Sequence, residues 1–196
     1  MSKELEPYFD EVNLTRYTID GILSAGYLQA LSDAFIPTPN WAGGLPRVLS
    51  LNFQGISAVD DSVLDDLGEL VNRVVRHKKL SESLIFVRLV NLNKDLPVTI
   101  GQILADRDLV VATRNTEQGG EKTVRLIGKE RFVQGYSSAF NILAQIDGWI
   151  NPVTFMHDNL GISLQDARRK LQAMSDIGIV IIKGNLRGGV VVHSLV

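Results

Sequence analysis

Val48-Leu49-Ser50-Leu51-Asn52-Phe53-Gln54-Gly55-Ile56-Ser57-Ala58-Val59-Asp60-Asp61-Ser62-Val63-Leu64 sets an apolar strand, a short loop and the start of a helix in direct succession. Val48–Phe53 reads as the strand, and Gly55 closes it. The helix runs from Asp61 to about Lys78, with Leu64, Leu67, Val71 and Val74/Val75 recurring on one face. Further on, Leu84–Val90 is an unbroken apolar run, the pattern of a strand buried on both faces. A helix is expected over Leu96–Asp106, opening near Pro97, and a third strand over Leu109–Thr113. Asn115–Glu121 reads as a turn and Thr123–Ile127 as the returning strand of a hairpin. Upstream, Pro37–Pro46 is a proline- and glycine-punctuated loop. Before it, Gly21–Leu31 reads as a helix, with Leu28, Leu31 and Phe35 at helical spacing. One strand is expected around Leu14–Ile19, behind an acidic lead-in. Strands alternating with helices imply an α/β unit with a mainly parallel sheet. After Lys129 the texture changes to short helices followed by a hairpin, which divides the chain into 1–128 and 129–196.

The stretch around Asp60 resembles the STAS domain, the fold of anti-sigma-factor antagonists, and especially its divergent STAS-like relatives. The family pattern is a strand, a glycine after it, then an apolar residue, Asp, Ser and a small residue opening the helix. In the antagonists, the serine directly after that aspartate is phosphorylated by a partner kinase. Here Asp61 occupies the serine's position, Ser62 follows it, and Val63 replaces the family's glycine. The resemblance spans roughly residues 10–115. It implies a partner-binding or switch loop at Asp60, Asp61, Ser62 and Leu64, with a kinase or sigma-type factor as the partner. The same residues also read as plain helix capping, with Asp65 as the capping-box partner of Ser62.

Beyond residue 129, four features follow one another. Ser137 or Ser138 can cap a helix running through Ile146, with Phe140, Leu143 and Ala144 inward. Asn151-Pro152 opens a second helix that runs to Leu160, with Asn151 accepting from the exposed N–H groups and Gly161 providing the turn. Ser163 caps a third, Asp166 stands three residues on, and Gly178 ends it. Leu164, Ala167, Leu171, Met174 and Ile177 form its buried stripe. Gln165, Arg168, Arg169 and Gln172 fall opposite, two guanidiniums and two amides on one surface, the groups that read phosphates and base edges in a major groove. Finally, Ile179–Ile182 and Val190–His193 are strands flanking a tip at Lys183–Gly189. This order resembles the winged helix-turn-helix family. The resemblance rests on Leu160-Gly161-Ile162-Ser163, on Ala167-Arg168-Arg169-Lys170-Leu171 and on the glycine-flanked wing. It implies that Ser163, Gln165, Arg168, Arg169 and Gln172 face the groove, with Lys183, Asn185 and Arg187 on the wing. Winged helices also dock to proteins, which leaves a partner-switching adaptor as the alternative to a DNA-binding regulator.

Charge supports a division of labour. Residues 1–120 carry a net charge of −5 and residues 121–196 a net charge of +3. The chain has no cysteine, so thiolate chemistry and disulfides are excluded. No apolar run is long enough to cross a bilayer, and the polar N-terminus lacks the build of a secretory signal. A cytoplasmic location is the expectation. Asp60, Asp61, Asp65 and Asp66 are a possible Mg²⁺ cluster, but no phosphate-cradling glycine loop accompanies them. His77, His157 and His193 have no ligand-spaced partners, and no G-x-S-x-G elbow occurs. The expectation is an α/β protein with a small α+β module, non-enzymatic and without cofactor or metal. Its expected partners are duplex DNA and a regulatory protein, with no membrane and a possible homodimer.

Overall fold

A computed structural model describes residues 8–19, 21–23, 26–28, 33, 46–81, 85–116, 120–145, 151–185 and 189–194. Its centre is a five-stranded sheet of β1 (Tyr8–Asn13), β4 (Arg47–Asn52), β6 (Ile85–Val90), β7 (Val110–Thr116) and β8 (Lys122–Gly128), in that spatial order. The first four run parallel and β8 returns antiparallel to β7. A smaller sheet joins β2 (Thr18–Ile19), β3 (Ile22–Leu23) and β5 (Ala58–Val59). Five described α-helices follow: α1 (Asp61–Ser81), α2 (Leu96–Asp106), α3 (Glu130–Ala144), α4 (Pro152–Leu160) and α5 (Leu164–Asp176). A hairpin of β9 (Val180–Asn185) and β10 (Gly189–Ser194) completes the chain. The molecule is mixed α/β with a mostly parallel central sheet, as the alternating pattern implied.

The sheet is covered on both faces by different helices. Alternate strand residues point to opposite faces. Leu49, Leu51, Val87, Leu89 and Val111 pack with α1 and α2 in one core. Val48, Phe86, Val110, Ala112 and Leu126 look the other way and pack with α3, α4, α5 and β9 in a second core. All six residues of β6 are buried, because this central strand feeds both cores. Its one charge, Arg88, donates from Nε to Ser50 Oγ at 2.7 Å. Burial pushes its guanidinium down to about 10, Arg114 pushes the same way, and Glu11 opposes both.

Gly128 makes the passage between faces possible. It sits at φ 127°, and a Cβ there would lie 2.3 Å from the Leu109 carbonyl oxygen. The next residue, Lys129, donates its N–H to that same carbonyl at 2.7 Å. The chain leaves the sheet here and enters α3.

Three boundaries differ from the sequence reading. The strand expected around Leu14–Ile19 is a 3₁₀ turn followed by the two-residue β2. Asn13 accepts the Thr15 N–H through its side chain, which competes with strand pairing. The true first strand lies upstream at Tyr8–Asn13. The helix expected from Gly21 does not begin there, because Ile22 and Leu23 form β3 and pair with Ala58 and Val59; Tyr27, Leu28 and Asp33 are helical as read, and residues 24, 25 and 29–32 lie outside the described residues. The helix expected to begin at Ser137 or Ser138 begins at Glu130. Ser137 does not cap it; its hydroxyl donates to the Val133 carbonyl one turn back, at 2.6 Å.

Gly128→Ala combines a forbidden φ with a backbone clash, and we expect a loss of at least ~2 kcal/mol in denaturant unfolding. An unchanged unfolding midpoint would show that the chain does not cross over in this conformation.

Candidate nucleic-acid interface

The α4–turn–α5 unit is built from local capping chemistry. Pro152 stands at the first position of α4, where a missing N–H loses nothing. Asn151 occupies the N-cap with extended backbone, yet its side chain makes no capping bond, contrary to expectation. Gly161 takes the left-handed conformation at φ 63° that ends the helix, and its N–H reaches the His157 carbonyl at 3.0 Å. The His157 ring secures the same turn through Nδ1, 2.6 Å from the Ile162 carbonyl oxygen. Ser163 then opens α5: its Oγ accepts the Asp166 N–H at 3.0 Å and donates to the Asp166 carboxylate at 2.7 Å.

The two sides of α5 diverge sharply. Ala167, Leu171 and Met174 are completely buried. Gln165, Arg168, Arg169 and Gln172 are exposed, as their spacing implied, and so is Ser163. Leu164 was expected in the buried stripe, but it is 43% exposed. Residues 163–166 are all exposed, so the first turn of α5 projects beyond the core that holds the rest.

The cations on this helix have different bonding. Lys170 is tucked against α3, donating to the Gly135 carbonyl at 2.8 Å and lying 5.5 Å from the Tyr136 ring centre. It ties two helices together. Arg169 reaches Asp166 only at 4.0 Å, with both side chains well exposed, so that pair is worth little. Arg168 has no hydrogen bond or ion pair among the described residues. Gln172 donates to Asp176 at 2.8 Å, one turn further along.

The wing is shorter than expected. Asn185 pairs directly with Gly189, so only residues 186–188 stand between the strands. Lys183 and Asn185 belong to β9 rather than to the tip. Their side chains, and all of Arg187, lie outside the described residues.

The loop at the start of α1 is only partly the surface anticipated. Asp60, Asp61 and Ser62 are exposed. Leu64 is not; it is buried in the first core and has no surface to offer a partner. The Asp60 carbonyl accepts the N–H groups of Val63 and Leu64, which starts the helix. Asp65 does not close a capping box with Ser62. It takes Arg107 instead, at 2.7 Å. Exposed Ile22 pairs with Ala58 just before the loop, and exposed Tyr17 adjoins Thr18, which pairs with Leu23 in the same small sheet. Among the described residues, no three His, Asp or Glu side chains gather as a metal ligand set. Nor is any described helix long and apolar enough to cross a membrane.

Two polar clusters escaped sequence reasoning because each is assembled from distant segments. At the carboxyl ends of β4, β6 and β7, a crevice of about 820 Å³ is walled by Gln54, Asn91, Asn93, Lys94, Asn115 and Thr116. Asn52 joins it from beneath, accepting from Asn91 at 3.0 Å and donating to Glu11 at 2.7 Å. Asn115 brackets Leu92, accepting its N–H and donating to its carbonyl. These amides chiefly satisfy loop backbone. At the opposite end of the sheet, Arg76, Arg107 and Arg131 border a cleft of about 320 Å³.

No protein-family model matches the chain, and no curated protein resembles it closely enough to count as a match.

Ser163→Ala removes a cap worth about 1 kcal/mol. We expect a melting-temperature loss of roughly 2–4 °C for a chain of this size. No change would mean that the Ser163 hydroxyl does not hold the end of α5.

Proposed function

We propose that this chain is a non-enzymatic regulator that binds duplex DNA through α5. In this reading residues 129–196 form a winged helix, and residues 1–128 form a STAS-like unit that binds a protein partner. One observation carries the DNA reading: Gln165, Arg168, Arg169 and Gln172 are all exposed on one side of a helix whose opposite side buries Ala167, Leu171 and Met174 completely. Such a helix is fixed in orientation by its core and presents guanidiniums and amides outward. Both arginines are free of strong ion pairs, so they lose little when they move to phosphate or to guanine. α5 is about 20 Å long at 1.5 Å per residue, enough to enter a major groove ~12 Å wide. Ser163 and the wing residues Lys183, Asn185 and Arg187 are assigned to backbone contacts on the resemblance to winged helices.

The partner surface is assigned to Asp60, Asp61 and Ser62, beside Ile22 and Tyr17. Acidic groups next to exposed apolar ones suit a protein partner. Asp61 stands where the related antagonists carry their phosphorylated serine, so a fixed negative charge replaces a switchable one. The adaptor reading, in which α5 docks to protein, draws on this same loop.

The deciding experiment is titration of the full chain into mixed-sequence duplex DNA across a salt series. We expect binding that falls steeply with salt. The double variant Arg168→Ala/Arg169→Ala should lower the slope of log K against log [salt] by up to about 2 and weaken binding at least tenfold. No binding at low salt, or an unaltered slope in the double variant, would dismiss the DNA reading and leave the adaptor.

A further inference from the structure

We infer that the cleft at the amino ends of the parallel strands is a second contact for the DNA phosphate backbone, so that both halves of the chain hold the same duplex. The inference rests on the DNA reading of α5. Three elements bring cations to this cleft: Arg76 from α1, Arg107 from the turn after α2, and Arg131 from the first turn of α3. Lys129 stands nearby, its Nζ 3.9 Å from Asp108 and donating to the Ala105 carbonyl at 3.3 Å.

The position of the cleft links it to α5. Ile177, which follows directly on α5, forms part of its wall. The exposed stripe of α5 runs through Gln165, Arg168, Arg169, Gln172 and Asp176, the residue that directly precedes Ile177. A helix of about 20 Å cannot fit wholly within a groove ~12 Å wide when it enters by its N-terminal end. Its last turns must then lie over the phosphates that border the groove. α5 itself brings an acid there, Asp176, which is unsuited to phosphate. The neighbouring elements supply the positive charge instead.

The cleft's acids do not close it to phosphate. Arg131 and Lys129 share one carboxylate, Asp108, and all three side chains are more than two-fifths exposed. Exposed pairs of this kind contribute ~1 kcal/mol or less. Arg76 is exposed and has no hydrogen bond or ion pair among the described residues. Arg107 is the built member: it crosses α1 over Gly68, where a Cβ would meet its side chain at 2.8 Å, and grips Asp65 at 2.7 Å. Phosphate contacts fix register and carry no base information. The cleft therefore adds affinity and salt dependence without changing which sequence is chosen.

The test uses the full chain with Arg76→Gln/Arg131→Gln, and with Arg76→Glu alone as a variant that removes no internal contact. Melting curves establish that both fold. We expect the double variant to lower the salt slope by about 2, to weaken binding at ~0.1 M salt roughly tenfold or more, and to leave sequence preference unchanged. Arg76→Glu should weaken binding without altering preference. The inference is overturned if both variants keep the wild-type slope and affinity while Arg168→Ala/Arg169→Ala loses them; that result leaves the α5 reading standing. If the wild-type chain binds no DNA, both fall together.

Discussion

The structure depends on covering a parallel sheet on both faces. Strands β1, β4, β6 and β7 follow one another across the sheet without reversing direction, and α1 and α2 pack on one side of it. That winding leaves Val48, Phe86, Val110, Ala112 and Leu126 with no cover from the crossover helices. Bare to water, these side chains would forfeit on the order of 1.5–3 kcal/mol for each large one. Helices α3 to α5 bury them, and the hydrophobic residues of those helices gain a partner surface in return. The helix that bears Arg168 and Arg169 is thus held in place by Ala167, Leu171 and Met174 in a core that reaches down to the sheet.

How legible was this in the sequence? Helices α2 and α4 were read to the residue, because Pro97 and Pro152 mark their first turns and Gly161 ends the second. Strand β6 was read as buried on both sides because nothing but Arg88 interrupts its apolar run. Strand β1 was missed. Its sequence, Tyr-Phe-Asp-Glu-Val-Asn, looks like a solvated lead-in because its acids work locally: Asp10 takes Arg47 at 2.7 Å and Glu11 takes Asn52. An edge strand with paired acids carries no alternating apolar signal. The start of α3 was missed for a related reason. Serine is a strong cap signal, and only the three-dimensional fold reveals that Ser137 bonds backward to Val133 instead.

The candidate interface was legible to different depths. The exposed face of α5 follows from helical spacing alone, which is why Gln165, Arg168, Arg169 and Gln172 stand in the open. Leu164 broke the pattern because periodicity says which face a residue lies on, not how far the core extends along the helix. Leu64 failed in the opposite sense: proximity to an exposed loop suggested a partner contact, while its place on the apolar stripe of α1 consigned it to the core. The cationic cleft was out of reach of any local reading. Arg76, Arg107 and Arg131 are separated by about thirty and about twenty-five residues, and only the packing of α1, α2 and α3 at one end of the sheet unites them.

That arrangement gives α1 a double attachment. Its first turn carries Asp61 and Ser62 at the carboxyl end of the sheet, and fifteen residues later, about 22 Å along the axis, Arg76 lies at the amino end. Between them Val63, Leu67, Leu70, Val71 and Val74 are locked into the first core. Close to Arg76, Val75 lines a small cavity together with Ile177 and Gly178, the residues that follow α5. Close packing of this kind transmits strain along the helix. Strain imposed on α1 at the acidic loop would therefore reach Arg76 and the residues that follow α5.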